Sequence, residues 1–569
     1  MKNKKLMLAL CCMCFIATKA FSQVIPERVK AGVVERGIEQ REIQRALEKD
    51  TLPLIEMEPL PEQMNLSGEK KIAVNKFLFE GNTIFSSKYL LQLLADYRGE
   101  SVSLQMLKNA CQEITNAYKK KGFFLARAYL PEQEIKDGVF RIEIIEGNLG
   151  TVSVEGSQHY TQEFIRSHFS AGPKNIVNYD YLLKSLLILN EYRDLNVKAQ
   201  FQKGSQPYTV DVVLKVQDKM PLHALTDYNN FGSKYVSRHR AGVMAEYTNF
   251  LIDGGKFSAR AVTGFPINNL FFGKTAYNVP VNRFGTKAEI SYMYSDFNVQ
   301  KEYRELDAGG ISKVYGLGFT HPLVRTRVTS ADVNMGFDYK TIRDYLIGDI
   351  SSRDDLRIFK LGLDYNHKDV YNGRNYFSFL SSCGVADILD GSPHDNPLAS
   401  RSGAGGDFIK SNFEFARFQQ LKWGAYIVLR SSLQVASDVL PVSEQFSIGG
   451  PDSVRGFSQS EYLGDSGHLL SLELRFSPPF LAEKNIPFTN KKTKEHLQLV
   501  AFMDYGKAFL RNPMADESKD YEISGAGIGA RVKFTPDFSL RVDLGYPVSG
   551  KNESNDSDPI VYIQSINKF

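Results

Sequence analysis

The sequence has one tryptophan in 569 residues and only five cysteines. Three of these, Cys11, Cys12 and Cys14, fall within the first 22 residues. Cys111 and Cys383 remain, in segments read below as different domains, so no disulfide is expected. There is no CxxC pair, no HExxH, no P-loop and no nucleophile elbow, and the nine histidines show no metal-ligand spacing. No catalytic residue, metal or cofactor is therefore assigned. Gly525-Ala-Gly527-Ile-Gly529 lacks the G-x-G-x-x-G spacing, and no helical pattern follows it. Beyond residue 22 no apolar run reaches about 18 residues, which excludes a helical membrane span. A formal net charge of +4 gives no case for a nucleic-acid partner. Mean hydropathy is −0.27, which would suit a water-soluble chain. It also suits a transmembrane barrel, whose strands alternate lipid-facing and lumen-facing residues and average to a polar value.

What is present begins with an address. Lys2, Lys4 and Lys5 precede an apolar run from Leu6 to Ala17, and Ala20-Phe21-Ser22 supplies small residues for cleavage before Gln23. Residues 1–22 therefore read as a secretory signal. A lipoprotein reading competes, but the cysteines lie inside the apolar run rather than after it. Residues 23–49 form a polar segment that is helical from Pro26, with a thin apolar stripe of Val29, Val33, Ile38 and Ile43. Such a helix is either a solvated leader or a plug in a wet lumen. Residues 50–70 are a linker carrying Pro53, Pro59 and Pro61.

Two similar units follow, at 71–148 and 149–218. In each, apolar spacing gives the order β-α-α-β-β. In the first, Lys71 to Phe79 is a strand turning at Glu80-Gly81-Asn82-Thr83. Leu90, Leu91 and Leu94, then Leu107, Cys111, Ile114 and Tyr118, mark its helices, and Phe123 to Leu130 and Val139 to Glu146 are its later strands. The order recurs about 75 residues on, which makes an internal repeat. From 219 to 569 helical spacing gives way to period two. Leu470, Leu472 and Leu474 alternate with Ser471, Glu473 and Arg475, and the chain ends on an amphipathic strand closed by Phe569. A soluble sandwich shows similar alternation. The length of the region, the export signal and the terminal aromatic favour a membrane barrel. At roughly 20–24 residues per strand and connection it holds 14 to 18 strands, about 16. That width leaves a lumen.

Two segments stand out. Val454-Arg455-Gly456-Phe457 lies in a Gly- and Ser-rich loop, and Phe502-Met503-Asp504-Tyr505-Gly506 lies in an alternating strand. In that strand Leu497, Leu499, Ala501 and Met503 share the apolar parity. Asp504 falls with Gln498, Val500 and Phe502, so it should face inward. Arg455 is then either a solvated loop charge or the partner of Asp504 in a loop folded back into the barrel, where a bidentate contact is available.

The signal, polar helix, proline linker, paired β-α-α-β-β units and barrel ending in Phe569 resemble the two-partner secretion transporters of Gram-negative outer membranes. These are the filamentous-haemagglutinin and haemolysin transporters (ShlB/FhaC/HecB-like), in the superfamily of the barrel assembly factor BamA. Val454-Arg455-Gly456-Phe457 is similar to that family's V-R-G-Y loop, with Phe in place of Tyr. Phe502, Asp504 and Gly506 match its F-x-D-x-G strand.

The resemblance implies an α+β periplasmic part of two POTRA domains followed by an all-β outer-membrane barrel. It implies that Arg455 pairs with Asp504 as a conformational latch, and that the helix plugs the lumen. The expected function is translocation of a large unfolded exoprotein of adhesin or haemolysin type, by a protein embedded in outer-membrane lipid and working as a monomer. Assembly of other outer-membrane proteins through a lateral seam is the alternative. A passive porin or adhesin would not need two periplasmic units.

Overall fold

The computed structural model describes residues 28, 30–34, 55–56, 71–97, 101–135, 137–478, 483–485, 492–515, 517–554 and 558–569. The expected signal at 1–22 and most of the helix at 23–49 and linker at 50–70 lie outside these residues. Sixteen strands, from Leu222–Asn229 to Ile560–Lys568, close into one antiparallel barrel. This is the strand number expected from the length. Individual strands exceed the expected ten residues, and Asp349–Lys368 reaches 20. Closure joins the first strand to the last through five paired positions, Leu225 with Lys568 to Asn229 with Gln564. The Phe569 amide extends this seam by donating to the Ala224 carbonyl at 2.9 Å. Closure is forced in lipid, where a free edge would leave its N–H and C=O groups without partners.

Period two in the sequence becomes two faces of the wall. Met503 and Ile528 are 59% and 62% exposed and point outward, whereas Asp504 and Glu473 are buried toward the interior. Residues 437–465 enter the interior, leaving the wall after Tyr426–Ala436 and returning to it at Ser466–Phe476. This loop folds inward and carries a small hairpin of Phe446–Ile448 paired with Tyr462–Gly464.

Before the barrel stand two units built alike. The first packs Ser87–Leu93 and Leu104–Lys120 against the sheet of Lys76–Glu80, Val139–Ile145 and Arg127–Tyr129. The second packs Gln162–His168 and Tyr179–Leu189 against Asn148–Glu155, Thr209–Asp218 and Leu195–Lys203. In both, a side-chain oxygen caps each helix: Ser86, Ser103, Thr161 and Asn178 each accept from a backbone amide in the first turn.

The repeat extends to its turns. Gly81 and Gly156 both adopt positive φ, +84° and +88°, and a Cβ on either would strike a carbonyl oxygen of the neighbouring strand. A carboxylate at the end of the final strand then gathers the turn's amides. Glu146 accepts from the Thr83 and Ile84 amides at 2.7 and 2.9 Å. Asp218 accepts from the Gln158, His159 and Tyr160 amides at 2.9, 2.6 and 3.2 Å.

Three details depart from the periodicity. The strand expected over Lys71 to Phe79 breaks after Ala73, because Lys71–Ala73 pairs with Ser101–Ser103 while Lys76–Glu80 runs parallel to Val139–Ile145. The strand expected from Phe123 shortens to Arg127–Tyr129. Residues 123–126 turn back instead, the Ala126 amide reaching the Phe123 carbonyl at 3.1 Å. Residues 55–56 are not free linker but pair parallel with Ala199 and Gln200 at the edge of the second unit.

Candidate functional site: the inward loop and the wall it grips

Arg455 is fully buried at the tip of the inward loop. Its Nε and Nη2 donate to the two oxygens of Asp504 at 2.7 and 2.8 Å, and its own amide donates to the same carboxylate at 3.1 Å. Nη1 donates to Glu473 at 2.6 Å. The guanidinium carbon stands 3.5 Å from the centre of the Phe502 ring, a cation–π stack. The expected Arg455–Asp504 pair is thus present and bidentate.

The strand segment works as a one-sided device. Phe502, Asp504 and Gly506 alternate onto the inner face of Leu497–Phe509. Phe502 stacks on the arginine and Asp504 binds it. Gly506 leaves room for Val454, whose Cγ2 would lie 2.9 Å from a Cβ at position 506. The loop segment answers in kind. Val454 and Phe457 are fully buried in a cluster with Ile448, Tyr462, Ala508 and Ile523. The Phe457 ring therefore needs no hydroxyl. Its carbonyl instead accepts from the Tyr562 hydroxyl at 2.6 Å, and that hydroxyl accepts from the Gly456 amide at 3.0 Å. Gly456 has φ +104°, and the Tyr546 carbonyl carbon lies 2.6 Å from where its Cβ would be.

Sequence reasoning picked one pair, and the structure shows a network. Glu473 also receives Arg430 at 3.2 Å and Arg475 at 2.6 Å. Asp543 holds Arg531 and Arg541 at 2.5 and 2.8 Å. Arg541 in turn grips the loop, donating to Asp452 at 2.9 Å and to the Pro451 carbonyl at 2.7 Å. A second grip lies earlier in the loop. Glu444 meets Lys340 at 2.9 Å and Lys410 at 2.6 Å. The parity of Ser471, Glu473 and Arg475 already pointed inward, but nothing in the sequence tied those positions to the loop.

The described part of the N-terminal segment lies inside the barrel. Residues 31–34 form a short helical turn, and all four are buried. The Ala31 amide donates to Asp344 on the wall at 3.0 Å. Arg28 reaches Glu461 of the inward loop at 3.3 Å, and Val33 packs with Val442 and Leu463 of the same loop.

At the other end the second unit is bound to the barrel. Arg193 meets Glu246 at 2.7 Å, and Glu191 bridges Arg325 and Lys287. Asp194 accepts from Thr248 at 2.5 Å and lies 2.8 Å from the His223 Nε2.

A family profile described as haemolysin secretion/activation protein ShlB/FhaC/HecB matches residues 209–532, and one described as POTRA domain, ShlB-type, matches residues 72–147. The chain belongs to the ShlB/FhaC/HecB family. It is thus an outer-membrane barrel protein with periplasmic POTRA units. Among similar proteins, the haem/haemopexin transporter HuxB of Haemophilus influenzae is 21% identical over 93% of this chain and 92% of its own length. The outer-membrane transporter CdiB of Dickeya dadantii is 23% identical over 91% of this chain and 89% of its own. The structure of CdiB from Escherichia coli superposes with a TM-score of 0.75 at 20% identity, covering 94% of this chain and 98% of that one. Within the ShlB/FhaC/HecB family frame, the end of the barrel bound to the second unit faces the periplasm and the inward loop enters from outside.

Proposed function

We propose that this protein is an outer-membrane secretion pore whose lumen is closed in the resting state by the inward loop and the N-terminal segment. One observation carries the reading. The lumen filling is attached by ion pairs, hydrogen bonds and small apolar contacts, so it can be withdrawn without unfolding the wall. Arg455 and Asp504, with Val454, Gly456, Phe457, Phe502 and Gly506 around them, act as the latch that sets the loop's position. Residues 23–49 act as the plug, joined by the linker at 50–70 to POTRA units at 71–148 and 149–218, ahead of the barrel at 219–569.

The cargo is a large exoprotein of adhesin or haemolysin type, arriving unfolded. The names of the relatives support this, since they are transporters of haem/haemopexin, of haemolysin and of the CdiB kind. The POTRA units offer open strand edges, Asn148–Glu155 among them, where an extended segment can add. Folding outside the cell biases movement outward without a nucleotide.

The assembly-factor alternative has one observation in its favour: the closing seam pairs only five positions, against eighteen between Thr329–Leu346 and Asp349–Lys368. The two readings part in one experiment. The protein is deleted from a host that carries the exoprotein encoded beside it, and the cell surface is probed. Loss of that exoprotein from the surface, with other barrels inserted normally, is expected. Its undiminished display sinks the secretion reading.

A further inference from the structure

The chain as a whole is close to neutral, with 69 basic and 65 acidic residues. Its lumen is not. The cavity at the periplasmic mouth is lined by the second unit and by the near ends of the barrel strands. Ten Lys and Arg side chains line it against four Asp and Glu, with Lys256, Arg260, Arg475, Lys533 and Lys568 among the cations. A second cavity shares Asn278 and Lys287 with the first, so the two lie next to each other along the lumen. Five lysines line this inner part against three carboxylates, and one of those carboxylates is Glu444, which belongs to the loop and not to the wall. Charges of one sign along a narrow low-dielectric passage add their fields and concentrate ligands of the other sign. The site occupied by Glu444 shows which ligand fits. Two wall lysines hold a carboxylate at the end of a single tight turn, Val442–Glu444, at 2.9 and 2.6 Å.

We propose that this basic path binds acidic stretches of polypeptide, and that Glu444 fills one of its stations while the loop is folded inward. The inference rests on the secretion reading and adds to it the charge of the segment that enters first. The mouth of the path is the initial binding site. The Lys340 and Lys410 station becomes available when Glu444 withdraws, and the passing chain's carboxylates replace it.

The test uses the full-length protein in detergent and a fluorescein-labelled polyglutamate peptide, followed by anisotropy. Binding should saturate, weaken as salt is raised, and be competed by unlabelled polyglutamate but not by an uncharged Gly/Ser peptide of the same length. Lys256→Gln with Lys533→Gln should weaken it several-fold. Should that pair disturb folding, seen as loss of the heat-dependent gel shift of the barrel, Lys533→Gln alone should weaken binding by a smaller factor. Glu444→Gln should strengthen binding several-fold by freeing its station. Absence of binding, equal binding of polylysine, or full competition by inorganic phosphate at matched charge would each overturn the proposal. These outcomes are independent of the surface-display experiment. A protein that secretes but ignores polyglutamate refutes only the acidic path, and one that binds polyglutamate but does not secrete refutes only the pore.

Discussion

Gly525 lies directly beneath the carbonyl oxygen of Arg455, so that a Cβ at position 525 would stand 1.8 Å from it. The neighbouring glycines of the same parity do related work. A Cβ at Gly527 would meet the Phe502 ring at 2.5 Å, and one at Gly529 would meet the Asp543 carboxylate at 2.0 Å. The glycine row that resembles a nucleotide loop in the sequence makes room for the loop tip at Gly525 and for the wall side chains around it at Gly527 and Gly529. Gly525→Val should therefore lift the tip off the wall while leaving the outward face of Asp520–Lys533 unchanged. The expected result is a barrel that still shifts on heating in a gel but exposes residues 437–465 to added protease. Protection equal to wild type would refute this role.

Arg455 and Asp504 are both fully buried: truncating Arg455 leaves the Asp504 carboxylate without its cation, and truncating Asp504 leaves the guanidinium with Glu473 as its remaining close carboxylate. Each of Arg455→Ala and Asp504→Ala should weaken inward docking of the loop by about 3–5 kcal/mol. The double variant should cost much less than the sum. Cysteine accessibility at an added loop position measures the docked fraction, and additive losses would show that the pair does not act as a unit.

Residues 31–34 touch both the wall and the inward loop, so the two fillings hold each other. Removing residues 26–49 should increase single-channel conductance in planar bilayers and make residues 437–465 more sensitive to protease. An unchanged closed pore counts against the plug.

His168 is buried in the second unit between Phe164 and Tyr192. Burial pushes its pKa below the ordinary value, the Phe164 carbonyl pulls it back in part, and Lys287 of the barrel lowers it again. The folded state therefore keeps His168 neutral where the unfolded chain would protonate. Stability should be full above the unfolded value of about 6.5 and decline as pH falls below it. Amide exchange of Gln162–His168 should accelerate between neutral and mildly acidic pH, and His168→Gln should flatten that dependence. An identical pH dependence in the variant would assign it elsewhere.

Cys111 lies inside the first unit, and burial pushes its thiol up to about 12. It should resist alkylation in the native protein at pH 8 and react fully once the protein is denatured. Rapid labelling of the native protein at Cys111 would show that this core opens readily.

Much of this architecture is written in local pattern. Period two set the barrel and its strand number, because a wall with lipid on one side and water on the other dictates every second residue. Apolar spacing set the β-α-α-β-β order of both units, since each helix needs one buried stripe. The parity of Leu497 to Tyr505 placed Asp504 inward, because a carboxylate facing hydrocarbon has no partner.

The sequence by itself did not say how the material in the lumen is held. The grip of Glu444 on Lys340 and Lys410, that of Asp452 on Arg541, and the contacts of Ala31 with Asp344 and of Arg28 with Glu461 join positions up to several hundred residues apart. No period or spacing records such contacts, and only closure of the barrel brings the partners together. The broken strand at Ala73 and the added strand at 55–56 are likewise tertiary decisions. Backbone groups pair with whichever edge the fold leaves open, and that edge exists only once the units have formed.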